Sequence, residues 1–199
     1  MSAPRVAVLA VQGAFAEHEA VLQGLGCETF QLRQRADALK PFDALVLPGG
    51  ESTVQAKLLH ELDMFDPLRR AIEEGMPVLG TCAGLILLAQ DVREVGRPSP
   101  VRGFGTLPVA VERNAYGRQL GSFQAEGQAH AGLPNREDPV PLRFIRAPRI
   151  TSAGEGVEVL VSLEGQPVCV RCGDQIGCAH HPELTADARI HERLLELIP

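Results

Sequence analysis

Residues 77–90 read PVLGTCAGLILLAQ: a short apolar run, a cysteine set between two glycines, then a longer apolar run. A buried structural cysteine needs no such glycines. A cysteine lifted onto a sharp strand-to-helix turn does, because small neighbours let the chain fold tightly around it. The stretch therefore reads as strand, turn and helix, and the sequence on its N-terminal side repeats that rhythm. VAVLAV (6–11) and ALVLP (44–48) are near-continuous apolar runs, the pattern of strands covered on both faces. Between them, Ala16, Ala20, Val21 and Leu25 recur at helical spacing, with Gly26 as a stop. Residues 54–63 and 66–74 repeat the helical pattern, and Gly75 ends the second before the strand PVLG. This alternation predicts βαβ units, hence a mostly parallel central sheet with helices on both faces.

After about residue 105 the rhythm changes. LPVAVER, SFQAEGQ, LRFIRAP, VEVLVSL, QPVCVRC and DQIGCAHH are short strand-like runs separated by Gly, Pro and Asn turns. They predict antiparallel additions to the sheet. A last helix is expected over 187–198, with Ile190, Leu194, Leu195 and Ile198 on one stripe. No repeat, low-complexity tract or flexible linker interrupts the chain, so residues 1–199 are expected to form one α/β domain.

Composition narrows the function. The chain is 45% hydrophobic and 22% charged, with a net charge of −6 and no basic run interleaved with aromatics. Nucleic acid is therefore not an expected partner. No apolar run reaches the ~18 residues of a membrane span. The opening RVAVLAVQGAF lacks a cleavage site and is followed at once by Glu17, so it reads as a first buried strand of a cytoplasmic protein with no membrane association. Five cysteines, at 27, 82, 169, 172 and 178, are an odd number without scaffold spacing, which favours reduced thiols. Lysine occurs only at 40 and 57, outside any motif, which argues against Schiff-base chemistry.

The turn Gly80-Thr81-Cys82-Ala83-Gly84 fits a core cysteine as well as a nucleophile. As a nucleophile, Cys82 would sit at a helix start, whose free N–H groups favour thiolate and can hold a developing oxyanion. It would need a base, and the base an orienting group. His18, His60 and His191 fall on predicted helices among charges and are expected to be solvated, and His130 falls in a polar turn. His180-His181-Pro182-Glu183 is different. In extended chain, residues two apart point the same way, so His181 and Glu183 share a side while His180 faces the other, as a packed or surface imidazole. The order Cys, His, Glu also departs from the α/β-hydrolases, where the acid precedes the histidine. Cys169 and Cys172, with Cys178 and His180, invite a zinc site, but the alternation of Val168 and Val170 makes this a strand. Residues three apart then face opposite sides, so no metal is expected.

With these motifs in view, the chain resembles the class I, triad-type glutamine amidotransferases, and among them the glutaminase subunits of pyridoxal 5′-phosphate synthase. AVQGAFAEH, LPGGEST (47–53), GTCAGLILLA (80–89), VERNAYGRQLGSF (111–123), FIRAP (144–148) and GCAHHPELT (177–185) carry the resemblance, in the family's order and over nearly the whole chain. It implies a flavodoxin-like fold, with Cys82 as nucleophile, His181 as general base and acid, and Glu183 as its orienter. Gly50, Glu51 and Ser52 match the glutamine-binding loop, Arg113 a contact suited to the α-carboxylate, and Ile145 and Arg146 a further contact. Gly49, Gly50 and Ala83 would form the oxyanion hole, and Ser52 or Thr53 could also cap the following helix. The resemblance implies L-glutamine as substrate, no cofactor, and a synthase subunit as partner in a large heteromeric complex. Two positions depart from the pattern: Val11 stands in place of the usual leucine, and His180 in place of a non-histidine residue. The rival readings are a glutaminase subunit of another amidotransferase, a DJ-1/protease-type cysteine-elbow protein, which would lack the downstream His-Pro-Glu, and a non-catalytic scaffold.

Overall fold

The computed structural model describes residues 3–113 and 121–199, so residues 114–120 of the VERNAYGRQLGSF motif lie outside the described residues. The chain runs β1 (Arg5–Leu9), α1 (Phe15–Gly24), β2 (Glu28–Leu32), α2 (Arg35–Ala38), β3 (Ala44–Leu47), α3 (Ser52–Glu61), α4 (Phe65–Glu73), β4 (Val78–Thr81) and α5 (Ala83–Leu88). It continues through β5 (Ala89–Glu94), β6 (Arg97–Pro98), β7 (Leu107–Arg113), β8 (Ser122–Ala129), β9 (Val140–Ile145), β10 (Arg149–Ala153), β11 (Glu158–Leu163), β12 (Gln166–Cys172) and β13 (Gln175–Cys178). A 3-10 turn (Pro182–Leu184) and α6 (Arg189–Leu195) end it.

Among the described residues the strands form a nine-stranded sheet, ordered β2-β1-β3-β4-β13-β12-β11-β8-β9, and a four-stranded sheet, β10-β7-β5-β6. In the larger sheet, β2, β1, β3, β4 and β13 run parallel, and the ladders from β13 to β9 are antiparallel. The α/β architecture is present and most of the late runs are antiparallel additions, as expected from the sequence, with two corrections. LPVAVER, as β7, pairs antiparallel with β10 but parallel with β5. The segment DQIGCAHH is not an antiparallel addition on its β4 side: β13 pairs parallel with β4, Gly177 opposite Gly80. A late strand is inserted next to the strand that carries the cysteine.

Burial follows the apolar runs. Val6 to Leu9, Ala44 to Leu47, and Val78 and Leu79 have no solvent exposure, as both faces of a parallel sheet require. The last helix is shorter than its stripe suggested, since only Arg189–Leu195 is α-helical, yet Leu195 and Ile198 still pack against the core. No helix among the described residues is long and apolar enough to cross a membrane.

Candidate active site

Parallel strands aim their carboxyl ends at one edge, and ligands bind there in open α/β sheets. Here the segments leaving β1, β3, β4 and β13 carry Gln12 to Ala14, Gly49 to Ser52, Cys82 and His181, and all four line one cavity of about 240 Å³. Ile145 and Arg146 at the end of β9, and Arg113 at the end of β7, complete its wall. Its volume lies below the ~300–1,000 Å³ of drug-sized sites, a scale that suits a small metabolite.

Cys82 occupies the turn between β4 and α5 with φ 50 and ψ −99, a conformation that L-residues adopt only under strain. The flanking glycines explain how the turn is built. A Cβ on Gly80 would stand 2.7 Å from the Gly84 carbonyl, and a Cβ on Gly84 would strike the Leu47 backbone. The Cys82 N–H donates to the Cys178 carbonyl at 2.8 Å, which fixes the elbow to β13. Its Sγ reaches the Ile145 carbonyl at 3.8 Å. Ala83 opens α5, so its N–H has no partner within the helix.

His181 Nδ1 and Glu183 Oε1 are 2.6 Å apart, both side chains buried. They do not meet through extended chain, as the two-residue spacing suggested. Pro182 starts a 3-10 turn, and it is that turn which folds the carboxylate back onto the ring. Burial disfavours the charged imidazole, but contact with Cys82 and the hydrogen bond and charge of Glu183 outweigh it and raise the His181 pKa to about 10. His181 Nε2 has no hydrogen bond among the described residues and belongs to the side chain that lines the cavity. His180 is also fully buried. It packs edge-on to Phe144 at 6.1 Å, and burial pushes its pKa down to about 3.

The matching family is described as the SNO glutamine amidotransferase family, and the match spans residues 8–198. The chain belongs to this family. It is 56% identical to a pyridoxal 5′-phosphate synthase subunit PdxT of Desulfitobacterium hafniense, over 98% of this chain and 93% of that one. It is 49% identical to a protein of the same name from Methanocorpusculum labreanum, over 98% of this chain and 97% of the other. A solved structure titled as a glutamine amidotransferase superposes with a TM-score of 0.87 at 43% identity, covering 97% of this chain and 98% of that chain. The DJ-1/protease-type and scaffold readings are set aside by this membership.

Within this SNO amidotransferase, the predicted site residues converge except where noted. Gly49, Gly50, Glu51, Ser52, Cys82, Arg113, Ile145, Arg146 and His181 line the cavity, with Glu183 behind His181. Arg113 is held by neighbouring side chains: Nη2 bonds Glu51 Oε1 at 3.3 Å and Thr53 Oγ1 at 3.2 Å, and Nη1 bonds Glu94 Oε2 at 3.1 Å. Capping of α3 falls to Glu51, whose Oε2 accepts from Val54 N at 3.0 Å, and not to Ser52 or Thr53. Sequence reasoning passed over the structural part played by Gln12. Its Oε1 accepts from Glu51 N at 2.6 Å and its carbonyl accepts from the buried Gln55 at 2.9 Å, while Ala14 N donates to the Gly49 carbonyl at 3.0 Å. The β1 exit thus holds the Gly49–Glu51 loop in place. The reading of His18 and His191 as solvated is wrong: both are fully buried, because α1 and α6 pack these faces toward the site rather than toward water.

Proposed function

We propose that this chain hydrolyses L-glutamine to L-glutamate and ammonia through Cys82, His181 and Glu183, and that residues 1–199 act as one glutaminase domain. The observation that carries the reading is the buried His181–Glu183 pair at 2.6 Å, set beside a cysteine on a strained elbow in the same small cavity. Cys82, as thiolate, attacks the side-chain amide carbon of glutamine. The carbonyl oxygen gathers charge toward the N–H groups of Ala83 and Gly50. The C–N bond breaks as His181 passes its proton to the leaving nitrogen. A pKa near 10 keeps that proton on the ring at neutral pH. Water then attacks the thioester, His181 takes its proton, and the C–S bond breaks to release glutamate.

The Gly49 carbonyl is turned toward Ala14, and a trans peptide turns the Gly50 N–H the opposite way. Arg113, Ile145 and Arg146, with Glu51 and Ser52, are assigned to holding the amino-acid end of the substrate. The names of the relatives support delivery of ammonia to a pyridoxal 5′-phosphate synthase subunit. The large heteromeric complex, the cytoplasmic location and the lack of a nucleic acid or membrane partner are part of the proposal and rest on the sequence reading alone. The test is glutamate release from glutamine, with and without a synthase subunit. Cys82→Ala should abolish it, and His181→Asn should cost the ~10²–10⁴-fold typical of general acid–base catalysis. Undiminished release by Cys82→Ala would sink the assignment.

A further inference from the structure

Glu183 has two carboxylate oxygens, and the proposed chemistry uses one. Oε1 serves His181 at 2.6 Å, whereas Oε2 is buried and makes no hydrogen bond among the described residues. A buried carboxylate oxygen without a donor is costly. The nitrogen placed to answer it is His18 Nε2, at 3.3 Å, on a side chain with no exposure. The same Nε2 lies 3.0 Å from Oγ1 of Thr81, the residue before Cys82, and His18 Nδ1 lies 2.9 Å from His191 Nε2.

The protons on this chain can be assigned from its ends. His191 Nδ1 is buried without a partner, and an orphan N–H is rarer than an orphan acceptor, so the His191 proton sits on Nε2. It is then donated to His18 Nδ1, which leaves the His18 proton on Nε2, hydrogen-bonded to Thr81 and within ion-pair distance of Glu183 Oε2. The opposite tautomer would set a nitrogen lone pair against a carboxylate oxygen at 3.3 Å. Burial, with the neighbouring His191 and His181, holds the His18 pKa well below the usual imidazole range, so the ring stays neutral. A neutral donor steadies the carboxylate without competing with His181 for its charge.

We propose that His18 is a positioning residue of the glutaminase site, holding the second carboxylate oxygen of Glu183 and the Thr81 end of the elbow through one Nε2–H, with its tautomer set by His191. The proposal rests on the glutaminase reading. His18 does not line the cavity, so its loss should act on turnover rather than on substrate binding. The titratable groups around it are His191 from α6, Glu183 from the 3-10 turn, and His181 beyond.

The experiment compares His18→Gln with His18→Met in the full chain, alone and with a synthase subunit. Both side chains are unbranched and similar in length, but only the carboxamide can accept from His191 and donate toward Glu183. We measure kcat and KM for glutamine from pH 5 to 9, the pH dependence of Cys82 alkylation by iodoacetamide, and the melting temperature. The methionine variant is expected to lose about 10–100-fold in kcat, the usual cost of removing an orienting partner, with KM within about twofold. Its pH–rate profile should differ from the parent's, because the carboxylate that orients His181 has lost its neighbouring donor. The glutamine variant should stay within several-fold of the parent in all three. A folded methionine variant with the parent's kcat and pH profile overturns the proposal, as does an equal loss in both variants. If neither folds, His191→Leu probes the same chain. The His18 proton is then free to move to Nδ1, so kcat should fall several-fold, and an unchanged alkylation profile overturns the proposal. Failure of the glutaminase reading itself looks different: the parent chain releases no glutamate, while the alkylation profile still reports on His18.

Discussion

Arg113 and Glu51, which come from separate sheet regions, are joined at 3.3 Å in the wall of the cavity, and the same Glu51 caps α3 through its other oxygen. The guanidinium is only 10% exposed and also bonds Glu94. A substrate α-carboxylate would have to share this fork with two carboxylates already bound to it. Arg113→Met should therefore raise KM for glutamine at least tenfold and leave kcat within a few-fold, the signature of lost binding. Steady-state kinetics check this, and a fall confined to kcat would remove Arg113 from substrate binding.

Gly49 lies against the His181 ring proposed as the general base. A Cβ there would stand 2.9 Å from His181 Nδ1 and closer still to Cε1, while the backbone φ is one that alanine accepts. Gly49→Ala should displace the imidazole and lower kcat by at least ~10²-fold, the scale of acid–base catalysis. The melting temperature should change far less than for a core substitution. A fully active Gly49→Ala would show that the ring has more room than the structure gives it.

The elbow stores strain at Cys82, φ 50. Cys82→Gly and Cys82→Ala should both be inactive, yet their stabilities should differ. Glycine relieves a sparsely populated conformation that costs ~1–3 kcal/mol in other residues, and loses ~0.5–1 kcal/mol to the entropy of the unfolded chain. The glycine variant should therefore melt above the alanine variant, by a few degrees at this chain length. Thermal denaturation of the pair decides it, and a lower melting temperature for Cys82→Gly would argue against strain at this position.

Buried histidines give the chain a pH signature. Burial lowers His18 well below its usual value, His180 to about 3 and His191 to about 4. Between ~6.5 and those values the unfolded chain binds more protons than the folded one, so stability is present above ~6.5 and is lost as the pH falls. His181 acts in the opposite sense: raised to about 10, it contributes stability below ~6.5 that is lost as pH rises through 10. Among these histidines, then, stability should peak at pH ~7, where the three lowered groups and the one raised group balance, and unfolding near pH 5 should take up about three protons. His180→Phe should cut that uptake by about one and keep glutaminase activity. Denaturant titrations across pH test both statements.

Much of the site was legible in the chain itself. The parallel strands announced themselves as β1, β3 and β4, because a strand covered on both faces must be apolar throughout. Glycines 80 and 84 around Cys82 marked the elbow, because any Cβ there meets backbone. Order along the chain brought His181 and Glu183 forward as the proposed base and its orienter, and the two side chains do meet. Half-exposed elements left weaker traces. β2, Glu28–Leu32, buries only Leu32 fully, so no apolar run betrayed it.

Tertiary packing decided the rest. Which strand β13 joins, and in which direction, depends on a partner almost a hundred residues earlier, and local pattern holds no record of it. The 3-10 turn that brings Glu183 to His181 replaced the extended link the spacing suggested. Most of all, His18 and His191 sit among charged and polar neighbours in sequence, which reads as a solvated face. Only the packing of α1 and α6 onto the sheet shows that both imidazoles are buried, His18 beside Glu183 and His191 against His18. Local sequence can specify the shape of a turn through steric limits on its own backbone, but burial is a property of what the rest of the chain lays on top.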